Sequence, residues 1–204
     1  MVKSVPHTDM RAHILQTAQP IISGKGYSAV GLNEILQASG VPKGSFYHYF
    51  NSKDAFGQAL LEYYFENYQL DLSHLLRPST KPAGERLMQY WTGWLALEAG
   101  CDAKGRCLAV KLAAEVSDLS EAMRSALQQG TAKIISELAR CIAEGVEDRS
   151  LPPLRLGDPE STASALYQLW LGASLRCKIT RDREPADTAM LATRMMLGLE
   201  SSSC

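Results

Sequence analysis

No run of apolar residues in this chain approaches the ~20 that cross a membrane, so a spanning helix is not expected. The opening MVKSVPHTDM lacks the apolar core of a signal peptide, and a cytoplasmic location with no membrane partner is the expectation. Histidine is scarce: the chain has four, and His7, His13 and His48 fall near its start. Cys101, Cys107, Cys141, Cys177 and Cys204 form no CxxC pair and have no histidine close by, which speaks against a structural zinc site. Their odd number speaks against a secreted disulfide framework. There is no glycine-rich phosphate loop, no Cys-His arrangement and no metal cluster within helical reach, so no metal and no cofactor is expected. Strand-like alternation and internal repeats are missing as well.

What is present is core material and a local excess of positive charge. Hydrophobic residues make up 46% of the 204, enough for one large or two small domains. The net charge of -1 argues against a chain whose whole surface binds nucleic acid. Divided at Gly57, however, the N-terminal part has Lys3, Arg11, Lys25, Lys43 and Lys53 against Asp9, Glu34 and Asp54, and the remainder is acidic. Any affinity for phosphate is therefore concentrated at the N-terminal end.

That end is organised around Asn33 to Lys53, NEILQASGVPKGSFYHYFNSK, which reads as two short helices joined by Gly40-Val41-Pro42. Ile35, Leu36 and Ala38 give the first helix its apolar positions, and Gly40 stops it by taking a left-handed backbone. Pro42 suits the start of the next helix because its missing N–H would be unpaired there anyway. Phe46, Tyr49 and Phe50 then share one face, which leaves Lys43, Ser45, Tyr47 and His48 pointing outward. Such a helix suits a DNA major groove, with small polar groups at base edges and Lys and Tyr on phosphates. A helical hairpin whose polar face is merely solvated is the alternative.

The run VPKGSFYHYFNSKDAF from Val41 to Phe56, preceded by KGYSAVGLNEIL, resembles the DNA-binding head of the TetR/AcrR family of bacterial transcriptional regulators. The resemblance rests on a glycine, an aromatic pair, a histidine, an aromatic and a lysine just past the helix, and covers about the first third of the chain. The rest fits by length and helical pattern. It implies an all-α fold, with an N-terminal three-helix helix-turn-helix domain at 1–57 and a larger helical ligand-sensing and dimerisation domain at 58–204. It further implies a repressor that binds double-stranded operator DNA, with Tyr47 and Lys53 on backbone phosphates. Lys43, Gly44, Ser45, Tyr47, His48 and Lys53 are the expected DNA-binding residues. Gly31 departs from the family, which often has a threonine there, so any phosphate contact from a hydroxyl is lost.

Helix periodicity fills the remainder. A first helix is expected from Thr8 to Lys25, with Ile14, Leu15, Ala18, Ile21 and Ile22 buried and a kink at Pro20. A long helix, capped by Asn51 or Ser52, runs from Lys53 to Leu76. Further helices are expected at 83–99 (Leu87, Tyr90, Trp91, Trp94, Leu95), from near Cys107 to Val116, from a cap at Asp118 or Ser120 through Val146, at 158–180 and at 185–199. Gly130 falls inside the third of these five further helices at a cost of ~1 kcal/mol. Leu166, Leu169, Trp170 and Ala173 with Met190, Arg194 and Leu197 suggest a homodimer through the two C-terminal helices, the alternative being that they only close the monomer core.

The segment KGRCLAVKLAAEVSDLSEAMRSAL, Lys104 to Leu127, carries the most distinctive chemistry. Cys107 follows Lys104 and Arg106 and is expected in the first turn of a helix that starts near Gly105, where both the cations and the helix N-terminus favour a thiolate. Lys111, one turn on, adds to that field unless Glu115 pairs with it. The other reading is that Cys107 simply packs. The segment is similar to that of the NemR-type repressors of the same family, which implies that Cys107 senses an electrophile or oxidant, with Arg106, Lys111 and Lys178 as helpers. Cys101 is near enough to act as a partner thiol, and Cys177 neighbours Lys178. Two alternatives stand beside this. An apolar ligand would sit among Tyr90, Trp91, Trp94 and Trp170, or the chain would be a cysteine-dependent enzyme, for which the catalytic partners are missing.

Overall fold

The computed structural model describes residues 7–99 and 108–199, and among these there are nine α-helices and no strand. Cys101, Arg106, Cys107 and Cys204 lie outside the described residues. In chain order the helices are α1 His7–Lys25, α2 Leu32–Ser39, α3 Lys43–Tyr49, α4 Lys53–Leu76, α5 Ala83–Ala99, α6 Leu108–Ser117, α7 Glu121–Glu147, α8 Pro159–Thr180 and α9 Glu184–Met196. The all-α expectation holds, and the long helix begins and ends at the expected residues. Two compact units result: one comprises the chain through Glu66 with Asp102–Gly130, the other Asn67–Cys101 with Thr131–Cys204.

In the first unit, Ile14, Leu15, Ala18 and Ile22 of α1 are buried with Val30, Ile35, Phe46, Phe56 and Leu60. Ile21 is only half-buried, and Pro20 lies on the exposed side of a helix that continues through it to Lys25. Gly26 ends α1 with φ +97°, a left-handed backbone that glycine adopts without a Cβ penalty. At the other end of the unit, Ser120 rather than Asp118 caps α7. Its Oγ accepts the Met123 N–H and donates to Asp54 Oδ2 at 2.7 Å, which ties the start of α7 to the start of α4.

The second unit is built on aromatics. Trp91 stacks on Trp170 with ring centroids 5.5 Å apart and on Trp94 at 5.9 Å, and Tyr167 meets Trp94 edge-on. Trp170 Nε1 donates to Thr193 Oγ1 and Trp94 Nε1 to Ser174 Oγ, both at 2.9 Å, so the indoles that fill the core also fix α5, α8 and α9 together. The α7–α8 loop caps α5, with Asp148 Oδ2 accepting from the Ala83 N–H and Ser150 Oγ from the Gly84 N–H. Arg86, buried, donates to the Leu76 carbonyl at the end of α4 and to Glu144.

One expectation needs correction. Leu166, Trp170, Ala173 and Leu197 do not add outward apolar surface; they are buried within the unit, because Trp170 is stacked on Trp91 and anchored by Thr193. The exposed apolar side chains of these helices are Leu175 and Ile179 on α8 and Leu191 and Met195 on α9.

Candidate nucleic-acid interface

The α2–turn–α3 segment follows from its punctuation. Gly40 takes φ +66° and donates its N–H to the Leu36 carbonyl, and the Val41 N–H reaches the same carbonyl at 3.1 Å. Pro42, extended at φ -62° and ψ 146°, is the N-cap of α3. His13 of α1 donates from Nε2 to the Ser39 carbonyl at 3.0 Å, and Ser39 Oγ donates to the Ile35 carbonyl, so the last turn of α2 is held from two sides. Gly31 is the N-cap of α2 and supplies no side-chain cap, as its lack of a hydroxyl requires.

The inner face of α3 is aromatic as expected. Phe46 is fully buried, 5.1 Å from the Phe50 ring and 5.4 Å from Phe56 at the start of α4. The guanidinium of Arg11 lies 5.5 Å above the Phe50 ring and covers this cluster from α1. Tyr49 is half-buried. On the opposite side Lys43, Gly44, Tyr47 and His48 are exposed and Ser45 is half-buried, with Tyr47 set edge-on to Phe46. Five of the six residues expected to meet DNA therefore share α3.

Lys53, the sixth, starts α4, and its neighbours were not legible in the sequence. Its Nζ donates to the Tyr27 carbonyl at 3.2 Å and sits 4.8 Å from the centroid of the Tyr27 ring, while the Tyr27 hydroxyl donates back to the Lys53 carbonyl. Burial, reinforced by the nearby carboxylates of Asp54 and Glu115, pushes the Tyr27 phenol well above its ordinary pKa, so it stays a donor. Tyr27 is in turn held by Glu115 of α6, whose two carboxylate oxygens accept from the Tyr27 N–H at 3.1 Å and the Ser28 N–H at 2.6 Å. Burial would raise the Glu115 pKa, but hydrogen bonds from Ser28 and Tyr27 and the Lys53 charge outweigh it and hold the group below the ordinary carboxylate value.

Lys111, one turn earlier on α6, donates to the Gly24 carbonyl at 2.8 Å, one of the free carbonyls at the end of α1. Lys111 thus contacts the end of α1 and Glu115 the turn that follows it. No local pattern signals this, since the partners are 87 and 88 residues apart in the chain.

Of the thiols, Cys141 is fully buried; burial, with the nearby charges secondary, pushes its pKa up to about 11. Cys177 is buried on α8, where Lys178 beside it is half-buried. Among the described residues there is no group of His, Cys, Asp and Glu placed to hold a metal ion, and no helix long and apolar enough to cross a membrane.

A short helix packed by its aromatic side, preceded by a glycine-proline turn and presenting a polar outer side, defines the helix-turn-helix class of regulators. Residues 14–60 match the family described as bacterial regulatory proteins, tetR family, and residues 83–193 match the tetracyclin repressor-like C-terminal domain. The chain is 40% identical over 190 residues to the HTH-type transcriptional repressor NemR of Escherichia coli (strain K12), covering 93% of this chain and 94% of NemR. It is 35% identical over 180 residues to the HTH-type transcriptional repressor DhaR of Mycobacterium sp. (strain GP1), covering 88% of each. The crystal structure of the reduced form of E. coli NemR matches with a TM-score of 0.86 over 93% of this chain and 97% of that one, at 40% identity. The chain belongs to the TetR family. Its relatives are transcriptional regulators, not enzymes.

Proposed function

We propose that the chain is a homodimeric repressor that holds a pseudo-palindromic operator through α3 and releases it when an electrophile or oxidant modifies Cys107. The observation that carries the DNA reading is the two-sided build of α3, with Phe46 fully buried on one side and Lys43, Gly44, Tyr47 and His48 exposed on the other. Two such helices about 34 Å apart read successive major grooves, which lets a head of modest positive charge bind tightly as a pair. The site of action is the cytoplasm, where that DNA is.

Support for the dimer comes from the outer side of α8 and α9. Leu175, Ile179, Leu191 and Met195 are exposed there, and a groove of about 460 Å³ on the same two helices is lined by Leu169, Gly172, Pro185 and Thr188 together with Arg176 and Glu184. Small residues next to large exposed ones are what a self-complementary interface uses, each copy seating its apolar side chains against the other's small ones.

For the sensor, the support is the order of the sequence: Cys107 follows Arg106, a cation that favours a thiolate, in a segment similar to that of the NemR-type repressors. The relative NemR is described in a reduced form, which suits thiol chemistry. With an activated alkene the thiolate sulfur forms a C–S bond as the C=C π bond breaks, and the electron pair left on the neighbouring carbon takes a proton from water, leaving hydroxide. The rival reading, an apolar ligand among Tyr90, Trp91, Trp94 and Trp170, is weakened because these rings pack on one another.

The test is operator binding in rising salt, using a duplex that the wild-type protein selects from a randomised library. Tyr47→Phe is expected to weaken binding uniformly across sequences. Treatment with N-ethylmaleimide is expected to release wild type but not Cys107→Ser; a Cys107→Ser protein that still dissociates overturns the sensor assignment. Leu191→Asp is expected to sediment as a monomer, and an unchanged dimer overturns the α8–α9 interface.

A further inference from the structure

We propose that Glu115 is a positioning residue for DNA binding: it fixes the Tyr27–Ser28 turn, and Tyr27 in turn holds the Lys53 ammonium where an operator phosphate takes it. This rests on the reading of Lys53 as a phosphate contact.

The geometry is a continuous relay within one compact unit. A lysine side chain has four rotatable bonds, and leaving it free to wander weakens any single phosphate contact it makes. Here two features of Tyr27 restrict it, the carbonyl that accepts from Nζ at 3.2 Å and the ring 4.8 Å away. Together they engage one hydrogen and one side of the ammonium, and the remaining N–H groups stay available to an anion. The position of Tyr27 therefore sets the position of the charge.

Tyr27 lies just after the left-handed Gly26, in the turn between α1 and α2. Its ring is fixed by burial and by the hydroxyl's bond to the Lys53 carbonyl. Its backbone, and that of Ser28, is fixed by Glu115, which accepts both N–H groups with separate oxygens. There is little slack in this seat. A Cβ on Gly26 would stand 3.1 Å from Glu115 Oε2, and one on Gly57 would stand 2.7 Å from the Tyr27 hydroxyl. Lys111 fastens the same helix to the Gly24 carbonyl, so α6 grips the turn on both sides of Gly26. A carboxylate on α6 that need not touch DNA would then act on affinity through the lysine that does.

The test compares wild type, Lys53→Met, Glu115→Gln and the double variant on the selected duplex, plotting log affinity against log salt. Lys53→Met is expected to make the slope shallower by about 0.9 per protomer on the DNA, the loss of one phosphate. Glutamine keeps the size of glutamate but replaces one acceptor oxygen with a donor, so it cannot accept the two N–H groups with separate oxygens as Glu115 does. Glu115→Gln is therefore expected to lose at least half of the same slope, and the double variant to bind no worse than Lys53→Met alone. A residue that merely stabilised the fold would change the active fraction, which shifts the plot without changing its slope. A wild-type slope for Glu115→Gln beside a shallower Lys53→Met overturns the positioning role while leaving Lys53 on its phosphate. An unchanged slope for Lys53→Met overturns the underlying reading, and the positioning role with it.

Discussion

The ring of Phe65 occupies the space that a side chain on Gly130 would need: a Cβ built there stands 2.2 Å from the ring. Phe65 on α4 and Gly130 on α7 are therefore in direct contact, and the helix glycine is a packing requirement. By helix propensity alone, Gly130→Ala should stabilise by about 1 kcal/mol. The overpacking cost of about 1–3 kcal/mol opposes it, and at 2.2 Å the clash decides the sign. Gly130→Ala is expected to lower the midpoint of urea unfolding, whereas alanine at the exposed Gly93 of α5, which has nothing within 4 Å, is expected to raise it.

Ser174 is a second point of tight accounting. Its Oγ accepts from Trp94 Nε1 at 2.9 Å and donates to Glu98 Oε1 at 2.6 Å, in a buried position. Ser174→Ala removes little volume but takes away both partners, and is expected to cost about 1–3 kcal/mol by chemical denaturation. Ser174→Cys, which keeps a weak donor and acceptor, is expected to fall between the two.

Cys141 should be chemically silent in the folded protein. Burial pushes its thiol up to about 11, far from the ambient pH at which thiolates react, and its Sγ points at the Ala83 carbonyl. Peptide mass spectrometry after brief maleimide treatment at pH 7.5 is expected to find Cys107 labelled first and Cys141 labelled only after denaturation.

Glu115 makes a pH prediction whose sign follows from its depressed pKa. A carboxylate lowered by folding contributes stability that is fully present above its unfolded pKa of about 4.5 and is lost as pH falls through the folded value. The stability difference between wild type and Glu115→Gln is expected to be constant at neutral pH and to shrink below about 4.5. A difference that persists unchanged into that acid range would show that the charged form is not what binds the Tyr27 and Ser28 N–H groups.

Much of the helix-turn-helix was legible because its signals are local. Gly40, Pro42 and the three- and four-residue spacing of Phe46, Tyr49 and Phe50 act over a few residues, and they specified α2, the turn and α3. The structure adds that Asp158 caps α8 by accepting the Ser161 N–H. Face assignment on α8 and α9 was not legible. Apolar residues on α8 at 166, 169, 170, 173, 175 and 179 go most of the way around that helix, and only the stacking of Trp170 on Trp91 shows which side is inside.

The sequence by itself determined the helices, the ends of α4 and the two-sided character of α3, since capping, glycine conformation and amphipathic spacing depend on near neighbours. Tertiary structure alone decided where Lys53 rests, why Gly130 must lack a side chain, and that Glu115 grips the turn after α1 instead of pairing with Lys111. Those are contacts between residues 26 to 88 positions apart, and chain spacing carries no trace of them until packing brings the partners together.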